Sequence, residues 1–187
     1  MVSIVINPVS GGATASVARR RAELAAAQLA ALGEAGEVTL TTRRGHGREL
    51  AEAAVRRGDR LVIAWGGDGT VNELATALAR TQTTLGIVAA GSGNGLAREL
   101  KLPSSPADAI ALACRTSPMP MDAGELGGLP FFSIAGIGFD AHVAAAFDTG
   151  GGRRGFVNYA RIVARELFRY QCADYRINGR EIGRAHV

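Results

Sequence analysis

Short apolar segments and helical segments alternate along roughly the first hundred residues, with glycine at most of the junctions between them. This alternation favours a parallel sheet covered by helices on both faces, because the connection between neighbouring parallel strands normally runs through a helix. Gly33 and Gly58 stand where two of the helices are expected to end. The predicted strands are residues 2–6, 37–41, 60–64 and 84–89, and the predicted helices are residues 14–32, 48–57, 96–100 and one that starts at Thr70.

Three of the four predicted strands end in polar, glycine-rich loops: residues 7–12 (loop 1), 66–70 (loop 2) and 91–95 (loop 3). The carboxyl ends of parallel strands meet at one edge of a sheet, and ligands of such sheets bind there. Backbone N–H groups in glycine-rich turns before a helix are suited to binding phosphate. The sequence therefore predicts that the three loops converge on a phosphate-rich ligand.

Loop 2 places one carboxylate, Asp68, between Gly67 and Gly69. Positive φ angles are expected at the two glycines, so that backbone N–H groups approach the phosphate closely. The spacing of Thr70 and Glu73 is that of a capping box. Asp68 would repel phosphate unless a divalent cation or a reacting hydroxyl lies between them. An ordinary strand-to-helix turn is the alternative, since these residue types also favour turns.

Two common nucleotide-binding motifs are excluded by spacing. A Walker A loop needs a Gly-Lys pair, but the only lysine, Lys101, follows Leu100. A dinucleotide-binding G-x-G-x-x-G run fails because Asn72 occupies the position of the third glycine when counted from Gly67.

Composition argues against a nucleic-acid partner. The net charge is +4, but twenty of the twenty-one basic side chains are arginines dispersed along the chain, and 5% of the residues are aromatic. Binding of single-stranded nucleic acid normally needs a basic groove with aromatic side chains for stacking. Cys114 and Cys172 lack C-x-x-C spacing, which predicts free thiols in a reducing cytoplasm. No signal peptide or transmembrane helix is expected.

The motif Gly-Gly-Asp-Gly-Thr of loop 2 follows Asn7-Pro8 and Ser10-Gly11 in loop 1 and precedes Gly-Ser-Gly-Asn in loop 3. In order and spacing these motifs resemble the catalytic domain shared by diacylglycerol kinases, sphingosine kinases and related bacterial lipid kinases. Residues 122–124, 136–141 and a helix over residues 155–170 resemble that family's crossover into its second domain. NAD kinases and phosphofructokinases share the loop 2 motif. The resemblance implies an α/β, three-layer parallel-sheet nucleotide-binding domain of the NAD kinase/diacylglycerol kinase type.

This resemblance implies ATP as phosphoryl donor, Mg²⁺, and a lipid alcohol as acceptor at a membrane surface, with a cytoplasmic protein peripheral to the inner membrane. It implies a catalytic and metal-organising role for Asp68, acting through Mg²⁺ or its water. The alternatives are a sphingoid-base kinase, a kinase for NAD or a soluble alcohol, and a nucleotide-binding module without catalysis. The predicted nucleotide-binding residues are Asn7, Ser10, Gly11, Thr41, Gly67, Asp68, Gly69, Thr70, Ser92, Gly93 and Asn94.

The chain departs from the family pattern at Gly95, where many relatives carry an acidic residue. Residues 118–123, 129–135, 173–177 and 181–187 are predicted strands, the last two joined by an Asn178-Gly179 turn. They predict an ATP-binding domain over residues 1–118 and the start of a truncated β-rich domain over residues 119–187. In the family the second domain supplies the lipid site and the general base. We therefore expect this chain to be inactive by itself and to form homodimers through an unfinished strand edge.

Overall fold

The computed structural model of the 187-residue chain describes residues 1–149, 156–171 and 174–184. The chain forms two compact units, Met1–Ser133 and Ile134–Val187. All four predicted parallel strands lie in the first unit. The domain boundary at residue 118 stays a prediction.

The first unit alternates strands and helices and ends in a small hairpin. A short 3₁₀ turn, Ser10–Gly12, comes after the first strand. The elements are β1 Val2–Ile6, α1 Ala15–Leu32, β2 Gly36–Leu40, α2 His46–Arg57, β3 Leu61–Gly66, α3 Asp68–Leu78, β4 Thr84–Ala89, α4 Gly95–Glu99, α5 Pro106–Arg115, β5 Gly124–Leu126 and β6 Leu129–Phe131.

The four strands β1 to β4 form one parallel sheet in the order β2-β1-β3-β4. Gly33 and Gly58 end α1 and α2 with φ angles of 70° and 78°, a left-handed conformation that glycine adopts without steric cost. The predicted α/β fold with a parallel sheet is thus confirmed.

Side chains alternate between the two faces of the sheet, because successive residues of a strand point in opposite directions. Ile4, Ile63 and Trp65 belong to a core shared with α1 and α5. Val5 and Val62 belong to a second core shared with α2, α3 and α4. Helices therefore cover both faces of the sheet, which gives the predicted three layers.

Three elements after β4 differ from the sequence-based expectation. Residues 118–123 do not form the predicted strand; Pro118 and Pro120 each lack the N–H group that a ladder needs. Helix α5 was not predicted, although Pro106 occupies its first position and the Ser105 hydroxyl accepts a hydrogen bond from the Asp108 backbone N–H at 3.4 Å. The predicted strand 129–135 is present only as β6.

The second unit contains α6 Phe139–Thr149, α7 Phe156–Leu167, β7 Asp174–Ile177 and β8 Arg180–Arg184. Helix α6 was not predicted, whereas α7 lies within the predicted helix 155–170. Strands β7 and β8 pair antiparallel around Asn178 and Gly179, both with positive φ, which confirms the predicted turn. Cys172 and residues 185–187 lie outside the described residues.

A side-chain contact joins the two helices of the second unit. His142 Nε2 lies 2.8 Å from Glu166 Oε2, and Arg165 donates to the other oxygen of the same carboxylate at 2.7 Å. Among the helices that the structure describes, none is both long enough and apolar enough to cross a membrane.

Candidate functional site

The carboxyl ends of the four parallel strands form one edge of the sheet, and backbone hydrogen bonds continue from the sheet into the segments just beyond the strands. The N–H of Thr41 donates to the Ile6 carbonyl at 2.9 Å, and the N–H of Asn7 donates to the Trp65 carbonyl at 2.9 Å. The N–H of Ala90, just before loop 3, donates to a loop 2 carbonyl at 2.8 Å. Thr41 and the three loops therefore lie side by side, as their sequence positions predicted.

Asn7 joins loop 1 to loop 2 through its side chain. Its Nδ2 donates to Thr70 Oγ1 at 3.0 Å, and its Oδ1 accepts from the Val9 backbone N–H at 3.1 Å. Thr70 is buried. The amide of Asn7 thus has partners on both of its polar atoms and holds the two loops in register.

Ser10 is 4% exposed and belongs to the internal framework of loop 1. Its hydroxyl donates to the Asn7 carbonyl at 2.9 Å and accepts a hydrogen bond from Arg21 Nη1 at 2.9 Å. The Ser10 side chain therefore shapes the loop through internal hydrogen bonds.

Asp68 joins loop 2 to loop 3. Its Oδ2 accepts from the Asn94 backbone N–H at 2.8 Å, and its Oδ1 accepts from the Gly95 backbone N–H at 2.7 Å. Each carboxylate oxygen has a second lone pair, and the side chain is exposed. Asp68 can therefore face a bound cation or water while it holds loop 3 in place.

Asn94 closes loop 3 on itself. Its Oδ1 accepts from the Gly91 N–H at 2.8 Å, and its Nδ2 donates to the Gly91 carbonyl at 2.8 Å. The backbone of Asn94 is left-handed, with φ 55° and ψ 44°. These contacts leave Ser92 and Gly93 exposed at the tip of the loop.

Glycine allows the loops to approach one another more closely than other residues could. A Cβ atom on Gly91 would lie 2.6 Å from the Gly67 Cα, and one on Gly93 would lie 2.8 Å from an Asp68 carboxylate oxygen. A Cβ on Gly11 would lie 2.5 Å from the Ala90 carbonyl oxygen. Real Cβ contacts are not this short, so these glycines determine the spacing of the three loops.

Two expectations about loop 2 are wrong. Gly67 has φ −92° and Gly69 is not among the residues with positive φ; within the three loops the left-handed glycines are Gly11 and Gly12. A Cβ on Gly67 would lie 3.1 Å from the Gly91 Cα of loop 3, closer than an ordinary contact, while a Cβ on Gly69 would meet no atom within 4 Å.

The predicted capping box at Thr70 and Glu73 is also absent. Helix α3 already begins at Asp68, and its N-cap residue, Gly67, makes no side-chain cap bond. Thr70 accepts instead from Asn7, and Glu73 Oε1 accepts from the Arg48 backbone N–H at 3.3 Å. Thr70 and Glu73 therefore hydrogen-bond to other elements and not to the backbone at the start of their own helix.

The donor set bears on whether Mg²⁺ fits the site. Within the described residues no group of three or more His, Cys, Asp or Glu side chains is arranged to hold a metal ion. Asp68 is the single charged residue of the three loops. Mg²⁺ commonly binds through one or two carboxylates together with waters and substrate phosphates. One exposed carboxylate at this edge of the sheet therefore fits a magnesium ion that would arrive with a nucleotide.

Comparisons with known proteins identify the family and several relatives of this chain. The family model "Diacylglycerol kinase catalytic domain" matches residues 1–126. A "Probable lipid kinase YegS-like" of Pseudomonas aeruginosa is 40% identical over 124 residues, which cover 64% of this chain and 41% of that protein. A protein of the same name from Chromohalobacter salexigens is 41% identical over 110 residues, which cover 57% of this chain and 35% of that protein.

A solved structure of a diacylglycerol kinase has a fold similar to that of this chain. The crystal structure of a diacylglycerol kinase from Bacillus anthracis str. Sterne superposes with a TM-score of 0.60 at 26% identity, over 70% of this chain and 47% of that one. The chain thus spans between about a third and a half of the length of the relatives that it matches.

Proposed function

Because the chain belongs to the diacylglycerol kinase catalytic domain family, we propose that it supplies the nucleotide-binding part of a lipid kinase. This kinase transfers the γ-phosphate of ATP to a lipid hydroxyl. The observation that carries the proposal is the convergence of loops 1, 2 and 3 at one edge of the sheet, held there by the bonds of Asn7 and Asp68. Phosphoryl transfer depends mainly on positioning and on charge stabilisation, which such a frame supplies.

The residues at this edge have two kinds of role in the proposal. Backbone N–H groups of Gly11, Gly67, Gly69 and Gly93, with the Ser92 hydroxyl, bind the phosphate chain. The side chains of Asn7, Ser10, Thr70 and Asn94 hold the loops that present those groups. Thr41, at the end of the neighbouring strand, contacts the ribose or the base.

Asp68 is the proposed catalytic carboxylate of the donor site and faces Mg²⁺, directly or through a water. When bound, the Mg²⁺ and ATP supply the transferable phosphoryl group and the charge that neutralises its oxygens. The chain's own part is to hold the carboxylate at the junction of loops 2 and 3, where the N–H groups of Asn94 and Gly95 fix its orientation.

The acceptor in the proposal is a lipid alcohol such as diacylglycerol, because the matched relatives are named as lipid kinases. Such a substrate would bring the protein to the surface of a membrane, on the cytoplasmic side. Pairing of two copies through an exposed strand edge stays a prediction. A sphingoid base, NAD, a soluble alcohol and binding without catalysis are the outcomes that experiment must separate.

Nucleotide binding is tested on the chain itself by isothermal titration calorimetry with MgATP. We expect saturable binding that requires the triphosphate. The absence of any binding to ATP, with or without Mg²⁺, would contradict the proposed donor.

Phosphoryl transfer is tested on a chimera in which residues 1–126 replace the matching residues of the Pseudomonas aeruginosa relative. The acceptors are diacylglycerol, sphingosine and glycerol, presented in mixed micelles with radiolabelled ATP. We expect label in a lipid. Label in glycerol alone would exclude a lipid acceptor. A chimera that binds ATP but transfers no phosphate, while the relative itself does, would identify a nucleotide-binding module without catalysis.

A further inference from the structure

Arg21 connects helix α1 to loop 1. Its Nη1 donates to the Ser10 hydroxyl at 2.9 Å and to the Ser10 carbonyl oxygen at 3.3 Å. Because Ser10 in turn donates to the Asn7 carbonyl, the guanidinium holds the residue around which loop 1 turns. The left-handed glycines Gly11 and Gly12 come directly after it.

Arg21 is partly buried, whereas Arg19 and Arg20 of the same helix are exposed. Burial lowers the pKa of its guanidinium below the ordinary value. In the part of the chain that the structure describes, no acidic side chain lies within ion-pair distance of it. Its hydrogen-bond partners are neutral oxygens. A partly buried cation without a counter-ion is unfavourable in the free protein and favours the binding of an anion.

The charge of the three loops also favours a role for Arg21 in anion binding. Loops 1, 2 and 3 contain no basic residue, and their one charged residue, Asp68, is negative. Over the described residues, no cationic side chain other than Arg21 hydrogen-bonds to any of these loops. A polyphosphate bound by them therefore needs positive charge from outside the loops. Mg²⁺ would supply part of that charge in the proposed function, and Arg21 is the cation already attached to one of the loops.

Arg21 also borders an open cavity. This cavity of about 280 Å³ lies between α1, the start of α5 and the ends of β3 and β4, and Arg20, Arg21, Trp65, Ala90 and Pro106 contribute to its lining. Ala90 directly precedes loop 3, and its carbonyl lies against Gly11 of loop 1. The cavity therefore borders the same edge of the sheet as the loops.

We propose that Arg21 is a positioning residue for the phosphate chain of the bound nucleotide. It holds Ser10 so that the backbone of loop 1 faces the phosphates, and it places at the site the positive charge that the loops lack. The inference rests on the proposed function for the identity of its ligand. Arg21 lies outside the three loop motifs, and the inference gives it a role in binding the phosphates of the nucleotide and not its base.

The test compares the affinities of the 187-residue chain and its variants for adenosine, AMP, ADP, ATP and inorganic tripolyphosphate by calorimetry. Arg21→Ala should weaken the binding of ATP and tripolyphosphate by about tenfold or more, as expected for the loss of a charged hydrogen-bonding group. The loss should grow with the number of phosphates and decline at high salt. Adenosine affinity should stay within about twofold of that of the unchanged protein.

Arg19→Ala is the matched control, because it removes the same charge from the same helix at an exposed position. Its effect on ATP should be within about twofold. If Arg21→Ala fails to fold, Arg21→Lys serves in its place, since it keeps the charge and loses the paired bonds to Ser10; it should recover part of the phosphate dependence.

The outcomes separate this inference from the proposed function. Equal losses for adenosine and ATP, or no loss for ATP, would show that Arg21 serves only the structure of the loop and would overturn the inference, while the kinase proposal would stand. Binding of tripolyphosphate that depends on Arg21, without any binding of ATP, would support the role of Arg21 and contradict the proposed donor.

Discussion

Gly11 and Gly12 are adjacent glycines that share a left-handed backbone but differ in their surroundings. Their φ angles are 66° and 71°. A Cβ on Gly11 would lie 2.5 Å from the Ala90 carbonyl oxygen, whereas a Cβ on Gly12 would meet no atom within 4 Å. They therefore form a matched pair: a side chain at Gly12 adds backbone strain alone, whereas a side chain at Gly11 adds backbone strain and a steric clash with Ala90.

We expect Gly12→Ala to lower the free energy of unfolding by about 1 kcal/mol, the cost of a left-handed conformation in a residue with a Cβ. Gly11→Ala should cost about 2 kcal/mol more, because loop 1 must move away from the strand end that precedes loop 3. Urea denaturation measures both values, and MgATP titration should show weaker binding for Gly11→Ala. Equal stabilities for the two variants would contradict the close packing of the loops.

A second residue-scale prediction concerns Asp68, and it is measured in the chimera. Asp68→Asn keeps an oxygen that can accept from one of the loop 3 N–H groups but removes the negative charge. We expect kcat to fall on the order of a hundredfold, while ATP affinity changes by less than about tenfold. A carboxylate that organises the metal contributes mainly in the transition state. If both quantities fell by the same factor, Asp68 would be a structural residue of the turn.

At the scale of elements, a buried carboxylate ties the end of α2 to β1. Asp59 Oδ2 accepts from the Ser3 hydroxyl at 2.6 Å and from Arg57 Nη2 at 2.7 Å, and Asp59 is 3% exposed. Burial would raise the pKa of Asp59, but the hydrogen bonds from Arg57 and Ser3 and the charge of Arg57 outweigh burial and hold this pKa below its ordinary value. A lowered folded-state pKa stabilises the fold above the ordinary carboxyl pKa of about 3.9.

This stabilisation is lost as the pH falls through the folded-state pKa of Asp59. Asp59→Asn should therefore lower the free energy of unfolding by about 2 kcal/mol near pH 7, and the difference from the unchanged protein should shrink below about pH 3.9. Glu37→Gln is the control, because its contact with Arg57 at 3.4 Å joins two largely exposed side chains and should contribute little. Chemical denaturation across this pH range checks both. A pH-independent difference would show that Asp59 acts through packing and not through charge.

The limits of sequence-based prediction depend on which contacts are local. Composition placed β1 over the residues that the structure gives, because a buried parallel strand is mostly apolar, and Ser3 is the single polar residue of β1. The spacing of Thr70 and Glu73 misplaced the start of α3, because Thr70 bonds to Asn7, sixty-three residues earlier, and no local pattern encodes that partner. The glycines of loop 2 show the same limit: Gly67 packs against Gly91 of loop 3, but a Cβ on Gly69 would meet no atom within 4 Å, and the positive φ angles expected at both are absent.

At the scale of the whole molecule, the segment after α5 belongs structurally to the first unit. The β5–β6 hairpin precedes Phe132, which packs against the core between the sheet and α2, α3 and α4. A Cβ on Gly95 of loop 3 would lie 3.4 Å from the Ser133 hydroxyl oxygen. Residues 118–123 lie within the compact unit Met1–Ser133, and the boundary predicted at residue 118 can be tested against one after residue 133.

Two shortened chains test where the nucleotide-binding domain ends. A chain of residues 1–133 keeps the parallel sheet, both cores and all three loops, so it should fold and bind MgATP as the 187-residue chain does. A chain of residues 1–118 loses the burial of Phe132 and should be less stable by about 1 kcal/mol, roughly half of what full burial of such a side chain contributes. Phe132→Ala in the 1–133 chain is the matched control and should account for most of the difference. Urea denaturation measures the stabilities, and calorimetry with MgATP measures the affinities. Equal stability of the two shortened chains would favour the sequence-based boundary at residue 118. Loss of ATP binding by the 1–133 chain would show that the second unit contributes to the donor site.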